Sequence, residues 1–513
     1  MPDGRGLDRR TLLQLAGVSA GALALGIAAP ERALGATRAP DGAFALGVAS
    51  GAPTPEGVVL WTRLAPEPLA ADGLGGMPQQ PTAVQWEVAD DELFRRVVLR
   101  GTVVALPELA HAVHPQVRGL QPGRRYFYRF RVGTQTSPVG RTRTAPAPGT
   151  TPARLVLATA SCQSWAAGHY SAHRHLAAAD VDLVVFLGDY VYERGLRDAD
   201  VARRGAAPLG PEHAAEAATL AQYRLRYGLY KSDPHLRAAH ASAPWLVTWD
   251  DHEVQDDYAG DRSAAGVPAD AFLLRRAAAY RAHYEHLPLP PSALPVGPRG
   301  TVQGRTDWGR LARLVVLDTR QHRAPAATTP AELADPSRSV LGRRQEAWFH
   351  QSLRSSSAAW DVVASSVVVR PVSPRETDQW DGYPVARRRL LRHLARSADP
   401  VLVSGDIHRH HAAEVPSDPD DPTSPPAAVE LVTSSIASGR DGGVDDGPRV
   451  PWMAAPYARF WDGRRGYVRL DVTPRETTSS FVVVPYVEAD DRAEGRVVAR
   501  FVTERGRHRL ERA

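Results

Sequence analysis

Four apolar stretches of this sequence end in side chains that bind metals or handle protons. Arg154-Leu-Val-Leu-Ala-Thr-Ala160 runs into Ser161, Cys162 and Gln163, and Asp182-Leu-Val-Val-Phe-Leu187 runs into Gly188, Asp189, Tyr190, Val191, Tyr192 and Glu193. Trp245-Leu-Val-Thr-Trp249 runs into Asp250, Asp251, His252 and Glu253, and Val401-Leu-Val-Ser404 into Gly405, Asp406, Ile407, His408, Arg409, His410 and His411. Apolar strands deliver the residues just past their carboxyl ends to one rim of a sheet, where α/β proteins place their sites. The pattern therefore predicts one cluster. Gathered carboxylates repel and raise one another's pKa unless a cation relieves them. Oxygen ligands suit hard ions such as Ca²⁺, Mg²⁺ or Mn²⁺, whereas thiolate, imidazole and phenolate suit a stronger Lewis acid such as Fe³⁺ or Zn²⁺. Two different metals sharing a bridging aspartate are the simplest arrangement for in-line displacement at phosphorus.

Each residue alone also has a plainer reading. A strand-end aspartate caps a turn, Cys162 fills a core, and Tyr190 and Tyr192 pack with a polar tip. His410 and His411 would face solvent, and Arg370 and Arg440 would be surface charge. Four such ends in one chain favour the metal centre. His252, beside that shell, is expected to donate to a leaving oxygen or steady a phosphoryl group. Arg320, Arg370 and Arg440 are expected to fork onto phosphate oxygens.

The elements that must position these residues fall into two regions, as 513 residues would suggest. Residues 40–148 alternate polar and apolar in short strands, such as Val58–Thr62, Thr82–Val88, Arg96–Val103 and Arg125–Val132. Turns such as Gln121-Pro122-Gly123 separate them, which predicts an all-β sandwich of immunoglobulin or fibronectin type. After a stiff linker, Thr144–Pro152, residues 149–513 alternate apolar strands with helices predicted at 170–179, 220–230, 269–285, 343–354 and 387–397. The fold class is therefore α/β: a layered domain of central sheets flanked by helices, preceded by the sandwich. Residues 1–36 read as a leader with a basic start, Arg9-Arg10, an apolar run from Leu15 to Ala29 and small residues near Gly35-Ala36. That pattern predicts twin-arginine export and a mature protein that is secreted, without a stable membrane anchor. A lone cysteine in an exported chain cannot form an intrachain disulfide, so Cys162 is filler or a ligand. The net charge of +5 rests on arginine, since Lys231 is the only lysine. No long basic run marks nucleic-acid binding, and the balance weakly favours an anionic substrate.

At the same residues the sequence resembles the alkaline phosphatase D (PhoD-like) family of metallophosphatases, whose layered domain is calcineurin-like. The shared motifs are Ser161-Cys162-Gln163, Gly188–Glu193, Asp250-Asp251-His252-Glu253-Val254, Leu317–Gln321, Trp380–Pro384 and Gly405-Asp406-Ile407-His408. Phe44–Gly51 and Leu60–Arg63 match at the start of the sandwich. The resemblance implies an iron-type site of Cys162, Asp189, Tyr192 and His408, with Asp189 bridging to calcium and Asp251 and Asp406 completing its oxygen shell. Zn²⁺ or Mn²⁺ are alternatives. The tyrosinate–iron pair is also similar to that of purple acid phosphatases. The family shows asparagine where this chain has Asp256, followed by Asp257, so Asp256 stands as an added ligand of open role. The activity implied is hydrolysis of phosphate monoesters or diesters by metal-activated hydroxide. Phospholipase D-type action on lipid or wall diesters and a non-catalytic envelope-binding role are the alternatives. A monomer is expected.

Overall fold

The computed structural model describes residues 39–372, 377–447 and 449–513; the leader, with Arg9 and Arg10, lies outside them. Its centre is a pair of stacked sheets. Strands Leu155–Ala160, Leu183–Leu187 and Pro244–Thr248 run parallel in one sheet. Ala312–Val316, Trp360–Ala364, Asp399–Ser404 and Pro426–Val432 run parallel in the other. Successive side chains of a strand point to opposite faces, and these strands are apolar on both. Leu155, Leu157, Leu183, Val185 and Leu187 meet Leu314, Val316, Val362, Val401 and Val403 between the sheets. Val156, Ala158, Val184 and Phe186 face the other way, into a core shared with helices Ser171–Ala178, Leu220–Lys231, Pro234–Ser242 and Ala269–His286. Helices Gly342–Arg354 and Pro384–Leu394 cover the outer face of the second sheet through Phe349, Leu353, Leu390, Leu391 and Leu394. The result is four layers, helix–sheet–sheet–helix.

Residues 39–148 supply one whole sheet and part of a second that packs on it. Strands Thr82–Ala89, Val97–Ala105 and Arg125–Val132, with the short Gln135–Thr136 and Gly140–Arg143, form one of them. Val84, Val88, Tyr126, Tyr128 and Phe130 from this sheet pack on Val48, Val58 and Leu60. The opposing strands are not a sheet of their own. Val48–Thr54 pairs antiparallel with Gly57–Arg63 on one side and parallel with Pro244–Thr248 on the other, Ser50 opposite Pro244 and Gly51 opposite Trp245. The first central sheet thus extends unbroken into the N-terminal region and reaches eleven strands. Among the described residues no helix is long and apolar enough to cross a membrane.

Candidate metal centre

All four expected strand ends converge at the carboxyl edge of the stacked sheets, three from one sheet and one from the other. Sharp turns aim the side chains inward. Cys162, Asp189, Asp406 and His408 have φ of 55°, 56°, 69° and 58°, a left-handed region that non-glycine residues seldom occupy and that clusters at functional sites. The glycine before Asp189 is needed for space: a Cβ on Gly188 would sit 2.6 Å from Asp250 Cβ. That close approach brings the Asp189 and Asp250 turns together.

One end of the cluster is soft and mixed. Ligand atoms of Cys162, Asp189 and His408 lie within 4.8 Å of one another. The Tyr192 hydroxyl donates to Asp189 Oδ2 at 2.9 Å and lies 3.1 Å from His408 Nε2, while Ser438 Oγ donates to it at 2.8 Å. Burial, then the Asp189 and Asp406 charges, pushes the Cys162 thiol up, and burial with Asp189 does the same to Tyr192. Burial and the neighbouring Arg465 hold His408 neutral, as a ligand must be.

The other end is all oxygen. Asp250, Asp251 and Asp406 bring one carboxylate oxygen each within 4.8 Å of the others, and Asp189, Asp251 and His252 form an overlapping trio. Burial raises Asp189 and Asp406 well above the carboxylate range, with Asp250 and Asp251 adding to it. Asp251 feels the same burial, yet Arg320 and His252 hold it low. Asp189 Oδ1 and Asp250 Oδ2 are buried with no hydrogen-bond partner, and Asp251 Oδ1 has only the long Arg320 contact. Orphaned buried carboxylate oxygens call for a cation, so these residues fit the metals that the donor set implies.

His252 sits between carboxylates. Its Nδ1 is 2.8 Å from Glu193 Oε2 and its Nε2 is 3.4 Å from Asp256 Oδ1, with the ring 4.1 Å from that of Tyr192. Burial alone would lower its pKa; Asp251, Asp189 and Glu193 outweigh that and raise it well above the usual value. Asp256 is half exposed and paired with Arg194 at 2.7 Å. It lies near Asp251 and Asp257, outside the trios that include Asp189 or Asp406.

The arginines depart from expectation. Arg320 is wholly buried and spent on carboxylates: Nε donates to Asp250 at 2.5 Å, and Nη1 and Nη2 each donate to Asp378 at 2.7 Å. Its fork neutralises the carboxylate cluster and is not free for a phosphate. Arg370 is also buried, with Nη1 and Nη2 on the carbonyls of Pro371 and Trp452 and the guanidinium over the Trp452 ring at 4.7 Å. Arg440 alone is well exposed, and its nearest acid is Glu488 at 3.7 Å. His410 and His411 are not solvated; both are buried in strand His410–Pro416.

Sequence reasoning missed Asp250, Glu193, Glu253, Asp378, Gln379 and Arg465. The first three stand inside motifs already singled out, and Asp378 and Gln379 immediately precede Trp380. Glu253 accepts the backbone N–H groups of Asp189, Tyr190 and Asp250 at 3.0, 2.6 and 2.8 Å. Gln379 Nε2 donates to Asp406 Oδ2 at 2.5 Å.

The family model of the PhoD-like phosphatase matches residues 157–481, and that of the PhoD-like phosphatase N-terminal domain matches residues 28–146. Alkaline phosphatase D of Bacillus subtilis strain 168 is 42% identical over 500 residues, covering 94% of this chain and 85% of that protein. The solved structure of PhoD superposes with a TM-score of 0.87 at 39% identity, covering 93% of each chain. Geometry and likeness agree at the same residues: the chain belongs to the PhoD-like phosphatase family and is a phosphoesterase of the alkaline phosphatase D type.

Proposed function

We propose that this enzyme hydrolyses phosphate monoesters and diesters at a two-metal centre, with Fe³⁺ held by Cys162, Asp189, Tyr192 and His408 and Ca²⁺ by Asp189, Asp251 and Asp406. Asp250 belongs to the oxygen shell, and Zn²⁺ or Mn²⁺ are the alternative ions. The observation that carries this reading is the run of orphaned buried oxygens on Asp189, Asp250 and Asp251, beside a thiol, a phenol and a neutral imidazole. Bound metals would acidify water and neutralise charge developing on phosphorus. The protein's own groups do the rest. Arg320 holds Asp251 low and opposes the rise that burial gives Asp250, and Glu193 orients His252 so that its proton can pass to the leaving oxygen. Arg440, at the rim, is the arginine left to meet a phosphate.

Residues 149–513 carry the chemistry in this reading, and residues 40–148 form the docking sandwich. Residues 1–36 direct export by the twin-arginine route, giving a secreted monomer that meets its phosphate ester outside the cytoplasm. Diesters of lipid or wall polymers are the second substrate class. Metal analysis of native protein, with hydrolysis of chromogenic monoesters and diesters, tests the proposal. About two metals per chain and turnover abolished by chelation support it; full turnover in metal-free protein overturns it.

A further inference from the structure

Arg465 is buried to 1% exposure, yet no carboxylate of the described residues lies within ion-pairing distance of it. A guanidinium taken out of water must have its donors satisfied, and here carbonyls and hydroxyls do so. Nε donates to the Arg440 carbonyl at 2.6 Å, Nη1 to the His408 carbonyl and to Ser435 Oγ at 3.0 Å, and Nη2 approaches the Gly439 carbonyl at 3.4 Å. His408 is on the turn of a candidate ligand, and Ser435, Gly439 and Arg440 are on the 434–440 loop beside it. His408 and Arg440 hold left-handed φ values of 58° and 63°, conformations that persist only where surroundings over-determine them. The same loop places Ser438, whose Oγ reaches the Tyr192 hydroxyl, and its Ser438 N–H bonds the Cys162 carbonyl at 3.2 Å.

We propose that Arg465 is a positioning residue for the thiol, phenol and imidazole end of the centre, clamping the 408 turn and the 434–440 loop from behind so that Cys162, Tyr192 and His408 share one ligand geometry. The inference rests on the two-metal reading above. Arg465 touches no reacting atom. It ties two segments whose side chains meet at Tyr192, a link that partners behind metal ligands commonly make and whose loss lowers metal affinity or activity about 10- to 100-fold.

Two variants separate this from a bulk stability effect. Arg465→Lys keeps the charge and shortens the fork to a single point. Gly442→Ala leaves the arginine itself unaltered but, at a φ of 68°, sets a Cβ 2.0 Å from the Gly463 carbonyl oxygen and 2.4 Å from Arg465 Nη2, so the exposed loop and the guanidinium shift together. Val472→Ala, in the buried strand Gly466–Val472, serves as a destabilised control. Each full-length variant, purified with its metals, is assayed for metal per chain, iodoacetamide alkylation of Cys162, and kcat and KM on bis(4-nitrophenyl) phosphate. The proposal expects both site variants to lose about 10-fold or more in kcat with KM nearly unchanged, to carry less metal, and to alkylate faster. The control should lower the melting temperature only. If either site variant folds with full metal, protected Cys162 and kcat within twofold of the parent, the proposal is overturned. If the parent itself lacks metal or activity, the two-metal reading fails instead.

Discussion

Glu253 accepts the backbone N–H of Asp189 at 3.0 Å across 64 residues of chain, and with its other bonds ties the turn after strand Leu183–Leu187 to the turn after Pro244–Thr248. Burial raises this carboxyl to about 8, while the N–H donors of Tyr190 and Asp250 pull against that rise. Glu253→Gln would turn an amide N–H₂ toward backbone donors. One or two bonds become unsatisfied, since the amide oxygen still accepts on its own side, at about 1–3 kcal/mol each. Urea unfolding should show a loss of about 2–5 kcal/mol, and turnover should fall at least about 10-fold. Wild-type stability in this variant would mean that the two turns hold without it.

Asp189 belongs to both ends of the cluster. Asp189→Ala should therefore lose both metals at once and reduce turnover to background, whereas Asp406→Ala should spare the Cys162 end. Elemental analysis of the two variants side by side distinguishes a bridging aspartate from two independent sites. Equal, partial metal loss in both would contradict the bridge.

Cys162 is buried, so as mere filler it would tolerate serine. As a thiolate ligand it would not, because an alcohol is a far weaker acid. Cys162→Ser should keep the fold while losing activity and the tightly held soft-end metal. In the parent, alkylation should be slow until a chelator is added. Tyr192→Phe should separately remove any visible phenolate-to-metal absorption without shifting the melting curve much.

Several buried histidines set an acid limit. Burial lowers His114, His173 and His283 to about 3 and His410 to about 4. The unfolded chain binds these protons near pH 6.5 and the folded chain does not, so stability falls as pH drops from about 6.5 toward 4. Each group contributes about 1.4 kcal/mol per pH unit over that window. Denaturant midpoints at pH 7, 6 and 5 should decline steadily, and His173→Asn should flatten the slope. A midpoint constant across this range would show that these rings are hydrated or open.

Replacing Arg9 and Arg10 by lysine should strand the protein in the cytoplasm, if that pair is the export address. Fractionation of cells expressing the two leaders reads the outcome directly. Normal secretion of the variant would assign the leader to the general route.

The strand ends, the side chains that follow them and most helices were legible because each depends on local pattern. Residues 220–230 and 269–285 became helices Leu220–Lys231 and Ala269–His286, and strand Arg125–Val132 has the bounds its alternation implies. What was not legible depends on partners far away in sequence. Nothing in the local sequence of Val48–Thr54, which is buried on both faces over most of its length, says which strand lies beside it. Arg320 looked like a phosphate fork because nothing near it in sequence announces Asp250 and Asp378, which lie 70 and 58 residues away. Lone polar residues such as Glu253 and Arg465 carry no period at all; their roles come from carbonyls and N–H groups that only the folded turns present.

The seam between Val48–Thr54 and Pro244–Thr248 also sets the order in which this chain can be completed on the ribosome. The early strand emerges long before its parallel neighbour, so half of its backbone must wait without its sheet partner. Such long-range pairing slows folding, and an exposed strand edge invites other chains to pair with it. Cutting the gene near residue 148 would thus release a fragment with a raw edge rather than an independent module, and that fragment should aggregate when expressed alone.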